Sequence, residues 1–125
     1  MHALVLVVVP ESVADVGGFV TRALERHRRV DDDKARGRWD YYVIGGRWDG
    51  ASATRGAPGT VANNTTPIAE LTRTSGLLPQ CYAIIIADEW HDCTQLDSEE
   101  LWLRSCEALF RDCADGVAVA VDAHV

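Results

Sequence analysis

The chain carries Asp122-x-His124 near its C-terminal end, a carboxylate and an imidazole two positions apart. On an extended strand that spacing puts both side chains on one face. An imidazole beside a carboxylate is the arrangement of a general base held in one orientation by its partner, and equally of two metal ligands. The plain alternative is two polar residues at the end of a strand. The run Asp88-Glu89-Trp90-His91-Asp92-Cys93 is denser in donors. Its oxygens and nitrogen suit a divalent cation gathered at one turn, with Glu89 and His91 as ligand-binding candidates. Its spacing matches no recognised ligand motif, so a solvated acidic turn explains it as well. Cys93 has only His91 as a cationic neighbour, a weak basis for a nucleophile.

A second group lies in WDYYVIGGRWDG, from Trp39 to Gly50. Trp39, Tyr41 and Val43 share one parity and Asp40, Tyr42 and Ile44 the other, which reads as a strand. Gly45-Gly46 then redirects the chain. Backbone amides at such a turn, next to the guanidinium of Arg47, make an anion cradle. The alternative is that Arg47 pairs with Asp49 or Asp40 and stacks on Trp48. Trp39, Tyr42 and Trp48 are candidate walls of a ligand pocket, or else core and loop anchors. Asp40 completes the candidate catalytic set of His124, Asp122 and Asp40.

Composition narrows the function classes. The chain has 125 residues, 47% of them apolar, with a formal net charge of −7. That length fits one domain, residues 1–125, able to build a core without staples. The acidic balance argues against a nucleic-acid duplex as partner, because phosphate contacts need clustered cations. The one basic cluster, Arg26, His27, Arg28 and Arg29, runs directly into Asp31, Asp32 and Asp33. It reads as a helix end followed by a solvated acidic turn. None of the four cysteines forms a C-x-x-C pair. The opening MHALVLVVVP lacks a basic leader and fits a buried strand, and nothing approaches membrane-spanning length. No membrane partner, a cytoplasmic setting and free thiols are expected.

These groups need elements to position them. Ala3–Val9 reads as a central strand, Glu11–Arg28 as a helix with a Val13, Val16, Val20, Leu24 stripe, and Arg38–Ile44 as a second strand. Cys81–Asp88 is a third strand. A second helix begins at an Asp97 N-cap with Glu100 completing the capping box, and Val117–Val125 is a fourth strand. The order β-α-β-β-α-β implies an α+β, ferredoxin-like sandwich: an antiparallel sheet in the order fourth, first, third, second strand, with both helices on one face. A long insertion, residues 45–80, separates the second and third strands, with a short helix expected after Thr66-Pro67.

That topology brings His2, Asp122, His124, Asp88, Glu89, His91 and Asp40 toward one end of the sheet. It leaves Ala118, Ala120, Asp122 and His124 on a face without helices. A bare apolar face is covered by a loop, a ligand or a second subunit, and a homodimer is expected. No cofactor and no structural metal are expected. Structural zinc wants closed, usually cysteine-containing ligand sets, and the cysteines lie elsewhere.

WDYYVIGGRWDG resembles the W-D-W-Y-x-I-G-G-R-W-x-G signature of a family of small uncharacterised proteins of bacteriophages and actinobacteria. Chains of that family also tend to carry G-x-W-x-x after a later strand and to end in V-D-C-H-I. Asp88-Glu89-Trp90-His91 is similar to the former and Val121-Asp122-Ala123-His124-Val125 to the latter. Ala123 stands where the pattern has Cys, so a thiol role there is not carried over. The resemblance implies a map of the site around Arg47, Asp122 and His124 and no particular reaction. Three readings of function stand: a small-molecule-binding protein of small anionic or polar ligands, extending to a non-redox enzyme; a phage-type accessory or anti-defence protein that binds a nucleotide or host protein without turnover; and a structural or interaction module.

Overall fold

Every residue of Ala3–Val9 is apolar and buried. This run forms most of β1 (His2–Val9), the middle of the sheet. In the structure, a computed structural model that describes residues 1–29, 37–52 and 55–125, the elements that follow are α1 (Val16–Glu25), β2 (Tyr41–Ile44), β3 (Thr65–Pro67), β4 (Cys81–Ile86), β5 (Glu89–Asp92), α2 (Glu99–Arg111) and β6 (Val117–His124). Short 3-10 turns link several of them. The six strands form one open, mostly antiparallel sheet in the order β2-β6-β1-β4-β5, with β3 also paired to β6. β1 and β4 are the parallel pair. The protein is thus a mixed α+β fold with two α-helices among the described residues, neither of them long and apolar enough to cross a membrane. Asp31, Asp32 and Asp33, expected to form an acidic turn, lie outside the described residues.

The ferredoxin-like expectation holds for the run β6-β1-β4 and departs from the structure on either side of it. The second expected strand, β2, pairs with the far side of β6 rather than with β4. Its place beside β4 is taken by β5, which folds back across a two-residue turn at Ala87 and Asp88, both at positive φ. The helices also lie on opposite faces. Val20, Ala23 and Leu24 of α1 share a core with Val5, Val7, Val9, Val119, Val121 and Ala123. Trp102, Cys106 and Phe110 of α2 share the other core with Leu4, Leu6, Val8, Ala118 and Ala120. Ala118 and Ala120 of β6 face α2, not open solvent. The helix-free face that motivated a homodimer is therefore not found among the described residues. A strand apolar on both parities needs cover on both faces, and here each face has its helix.

Helix boundaries follow their caps. Asp15 accepts a hydrogen bond from the Gly18 amide and starts α1 after the Glu11 expected from the sequence. A Cβ on Gly18 would lie 2.2 Å from the Asp15 carboxylate, which explains a glycine inside the first turn. Ser98, not Asp97, caps α2 through the Leu101 amide. The 45–80 connection is not a loose lid. It leaves the sheet after β2, returns as β3 on the same edge of β6, and then packs as 3-10 turns at Ile68–Glu70 and Leu78–Gln80 against the α2 core. The helix expected after Thr66-Pro67 is the first of these turns. Arg73 fixes its outer stretch to α2 through Glu100 and Glu107.

His27, half-buried after α1, donates Nε2–H to the Asp88 carbonyl and packs 5.8 Å from the Trp90 ring. Burial holds its pKa below the ordinary 6.5. Above that value the imidazole is neutral in both states. Below it the unfolded chain binds the proton first, so stability falls with falling pH until the folded-state value is passed. The unfolding midpoint should drop as pH falls through the ordinary value of 6.5, and His27→Gln should flatten that slope. An equally steep slope in the variant excludes His27 as its source.

Candidate functional site

The site grows out of the register of three strands. His2 lies opposite His124, and Tyr41 lies opposite His124 on its other side. Directly opposed residues share a face, so Tyr41, His124 and His2 form one row across β2, β6 and β1. The next row is Val43, Asp122 and Leu4. Tyr41 is 61% exposed and Val43 40% exposed, so this corner opens to solvent beyond the cover of α2.

Asp122 is the buried centre. Its carboxylate is 5% exposed and accepts the His2 Nδ1–H at 2.8 Å on one oxygen and the Arg47 amide at 3.0 Å on the other. The amide reaches it because Gly46 lies directly above. Gly46 has φ +51, and a Cβ there would sit 2.4 Å from the Asp122 side chain. Gly45, at φ +74, donates to the Ala120 carbonyl at 2.9 Å and extends the β2 ladder by one bond, and its own Cβ would strike Asn64. These two glycines let backbone take the place of side chain over a buried carboxylate.

The residues after them hold the turn shut. Asp49 accepts from the side chains of Asn64 and Asn63 and from the Gly59 amide, and these bonds, led by Asn64, hold its carboxyl below the usual carboxylate range. Asn64, fully buried, also accepts from the Gly50 amide. Trp48 donates to Gln80 at 3.0 Å and packs on the α2 core. Asp49 is therefore committed to the loop and does not pair with Arg47. The Arg47 guanidinium is exposed and makes no hydrogen bond or ion pair among the described residues.

His124 has a different partner from the one its sequence neighbour suggests. Its Nδ1 lies 2.7 Å from Asp40, not on Asp122, and Arg29 stands 3.7 Å from the second Asp40 oxygen. The hydrogen bond from His124 is the largest reason the Asp40 carboxyl sits below its ordinary range. The expected Asp122–His124 dyad is corrected to two crossed dyads, Asp122 with His2 and Asp40 with His124. Their rings meet edge to face with centroids 6.3 Å apart. With Nδ1–H donated to a carboxylate, each neutral ring presents Nε2 as an acceptor, and neither Nε2 has a protein partner among the described residues. Both imidazoles are accessible, with 41% and 44% of their side-chain surface exposed.

Of the remaining candidates, Trp39 is buried against α1, donates to the Leu24 carbonyl and packs edge-on to Tyr42, so both anchor β2 on the opposite face. Glu89 and His91 lie on β5, across β6, β1 and β4 from β2, and His91 pairs with Glu89 at 3.4 Å. At about 4.8 Å per strand they are far from His124, and the expected convergence with the chain end does not occur. Burial pushes the Cys93 thiol up, with Asp92 adding to the effect, which argues against a thiolate there. No group of three or more His, Cys, Asp or Glu arranged to hold a metal occurs among the described residues. Tyr41 joins the site through strand register and Arg29 through its ion pair with Asp40, and the sequence displays neither; His2, expected at this end of the sheet, is placed on Asp122 by the same register. No family model, no curated protein and no solved structure matches this chain.

Two outcomes follow. Gly46→Ala combines positive φ with a collision against a buried carboxylate and should cost at least about 2 kcal/mol in denaturant unfolding. A loss within about 0.5 kcal/mol would mean the amide–carboxylate contact is not formed. His124→Ala should return the Asp40 carboxyl pKa toward its ordinary value, read by carboxyl-carbon NMR, while the fold persists. An unmoved Asp40 titration would separate the two residues.

Proposed function

We propose that this chain is a small-molecule-binding protein whose site is the corner of Tyr41, His124, His2 and Arg47, and that the site performs proton transfer without redox chemistry. The observation that carries this reading is the pair of crossed dyads, with carboxylate contacts of 2.7 and 2.8 Å and ring centroids 6.3 Å apart. Two imidazoles so oriented divide one task. One takes a proton through Nε2 while the other, protonated, gives one to a leaving group. Displacements at an ester or phosphodiester need that division. Asp40 orients His124 and Asp122 orients His2, each fixing the tautomer that leaves Nε2 toward the ligand. The unpaired Arg47 guanidinium, close to Asp122 through its own amide, supplies a contact for an anionic group.

One observation supports the second reading, binding without turnover. Both imidazoles are nearly half exposed, and catalysis of this type gains from excluding water. A nucleotide bound by Arg47 and the histidines, with no bond broken, fits an open corner. That reading is also the one suited to a phage-type accessory protein.

Titration with inorganic phosphate, adenosine monophosphate and a cyclic nucleotide, followed by NMR of the His2 and His124 ring signals, tests both. Saturable shifts at both rings, weakened at least tenfold by Arg47→Ala, are expected. Hydrolysis of the cyclic nucleotide that disappears in His124→Ala selects the enzyme; shifts without hydrolysis select the binder. The absence of any shift with all three probes overturns the site.

A further inference from the structure

The opposite end of the sheet carries a crevice. β1 and β4 run parallel and end side by side. β1 leads from there into α1 on one face, whereas β4 turns back into β5, so that α2 starts at the other end of the sheet and brings its C-terminal end back to this one on the other face. The crevice opens between the ends of these two strands and the C-terminal end of α2. Here the crevice has a volume of about 420 Å³ and is walled by Val8, Pro10, Phe19, Ile86 and Cys113. That lies within the range of small-molecule pockets, roughly 300–1,000 Å³. Its floor is tight: Gly116 packs so close to the end of β1 that a Cβ would lie 2.6 Å from the Val9 carbonyl oxygen.

The rim has one sign of charge. Glu11, Asp112 and Asp115 border the crevice, and none of the three forms an ion pair with a described residue. Asp112 is the C-cap of α2, so the crevice also receives the negative end of a helix of 13 residues. No Lys, Arg or His lines it. Burial, with Asp112 beside it, pushes the Cys113 thiol up, so at neutral pH the thiol is an uncharged part of the wall.

We propose that this crevice binds a small organic cation, a primary amine on an apolar body. The body fills the space between Val8, Phe19, Ile86 and Cys113, and the ammonium sits at the rim among the three carboxylates and the α2 C-terminus. An apolar lining alone accepts any hydrophobe. The unpaired acidic rim is what selects the cation and rejects an anion of the same shape. The site stands apart from the histidine corner and does not depend on what binds there.

Three probes share one body and differ in charge: phenethylamine, 2-phenylethanol and 3-phenylpropanoate. In amide NMR titrations of the whole chain, phenethylamine should shift Glu11, Ala87, Asp112 and Gly116 saturably. Its affinity should exceed that of the alcohol about tenfold, and the acid should not bind. The double variant Glu11→Gln, Asp115→Asn, at two exposed positions, should reduce amine affinity about five- to tenfold and leave alcohol affinity unchanged. Equal binding of amine and alcohol, amine affinity insensitive to the double variant, shifts centred elsewhere, or no saturable shift would each overturn the proposal.

Discussion

A carboxylate buried within a sheet must be given hydrogen-bond donors. Asp122 is given two, an imidazole from the neighbouring strand and a backbone amide from above. The second donor dictates much of the local architecture. An amide can reach a carboxylate lying under its own chain only if no side chain intervenes, hence glycine at Gly46. Two successive positive-φ residues turn the chain off the sheet at that point. It then needs a route back, which the bonds of Asp49, Asn63 and Asn64 provide before β3 rejoins β6. The conspicuous run IGGRWDG is thus largely the cover of one buried charge. Its tryptophan is a loop anchor, and its arginine side chain is the part that this structural task leaves free.

Much of the fold was legible because side-chain period is a local property. The apolar run of β1, the alternating valines of β6 and the stripes of both helices are visible without any knowledge of neighbours. What the sequence does not display is which element lies beside which. β2 carries the same alternation whether it pairs with β4 or β6, so the ferredoxin-like order was available from the pattern and was not the one adopted. β5 escaped notice because its turn is Ala87-Asp88, without the glycine or asparagine that ordinarily marks two positive-φ positions. β1 itself carries the clue to helices on both faces: Leu4, Leu6 and Val8 are as apolar as Val5, Val7 and Val9, and such a strand calls for two covers.

The site was legible in its residues and not in its pairings. Asp122 and His124 share a strand face, but alternate residues along a strand stand about 6.5 to 7 Å apart, beyond the reach of a short carboxylate. Cross-strand neighbours come closer. Each histidine therefore bonds to a carboxylate from another strand or strand end, and the apparent triplet resolves into two dyads. His2, readily discounted as a terminal residue, is held by eight antiparallel pairings between β1 and β6.

The two dyads differ in what folding asks of them. Asp122 is buried, and removing His2 or the Arg47 amide would leave a charge without compensation, so that dyad serves stability whatever else it does. Asp40 and His124 are both nearly half exposed, and an ion pair between such groups adds little to stability. Nothing in the packing of the sheet requires that His124 be an imidazole or that Asp40 stand beside it. The buried dyad fixes a framework, and the exposed one is carried on that framework at low structural cost, with its ring aimed beside the first. This asymmetry, one dyad demanded by burial and one not, is the physical reason to look for function at His124 before any other residue of the corner.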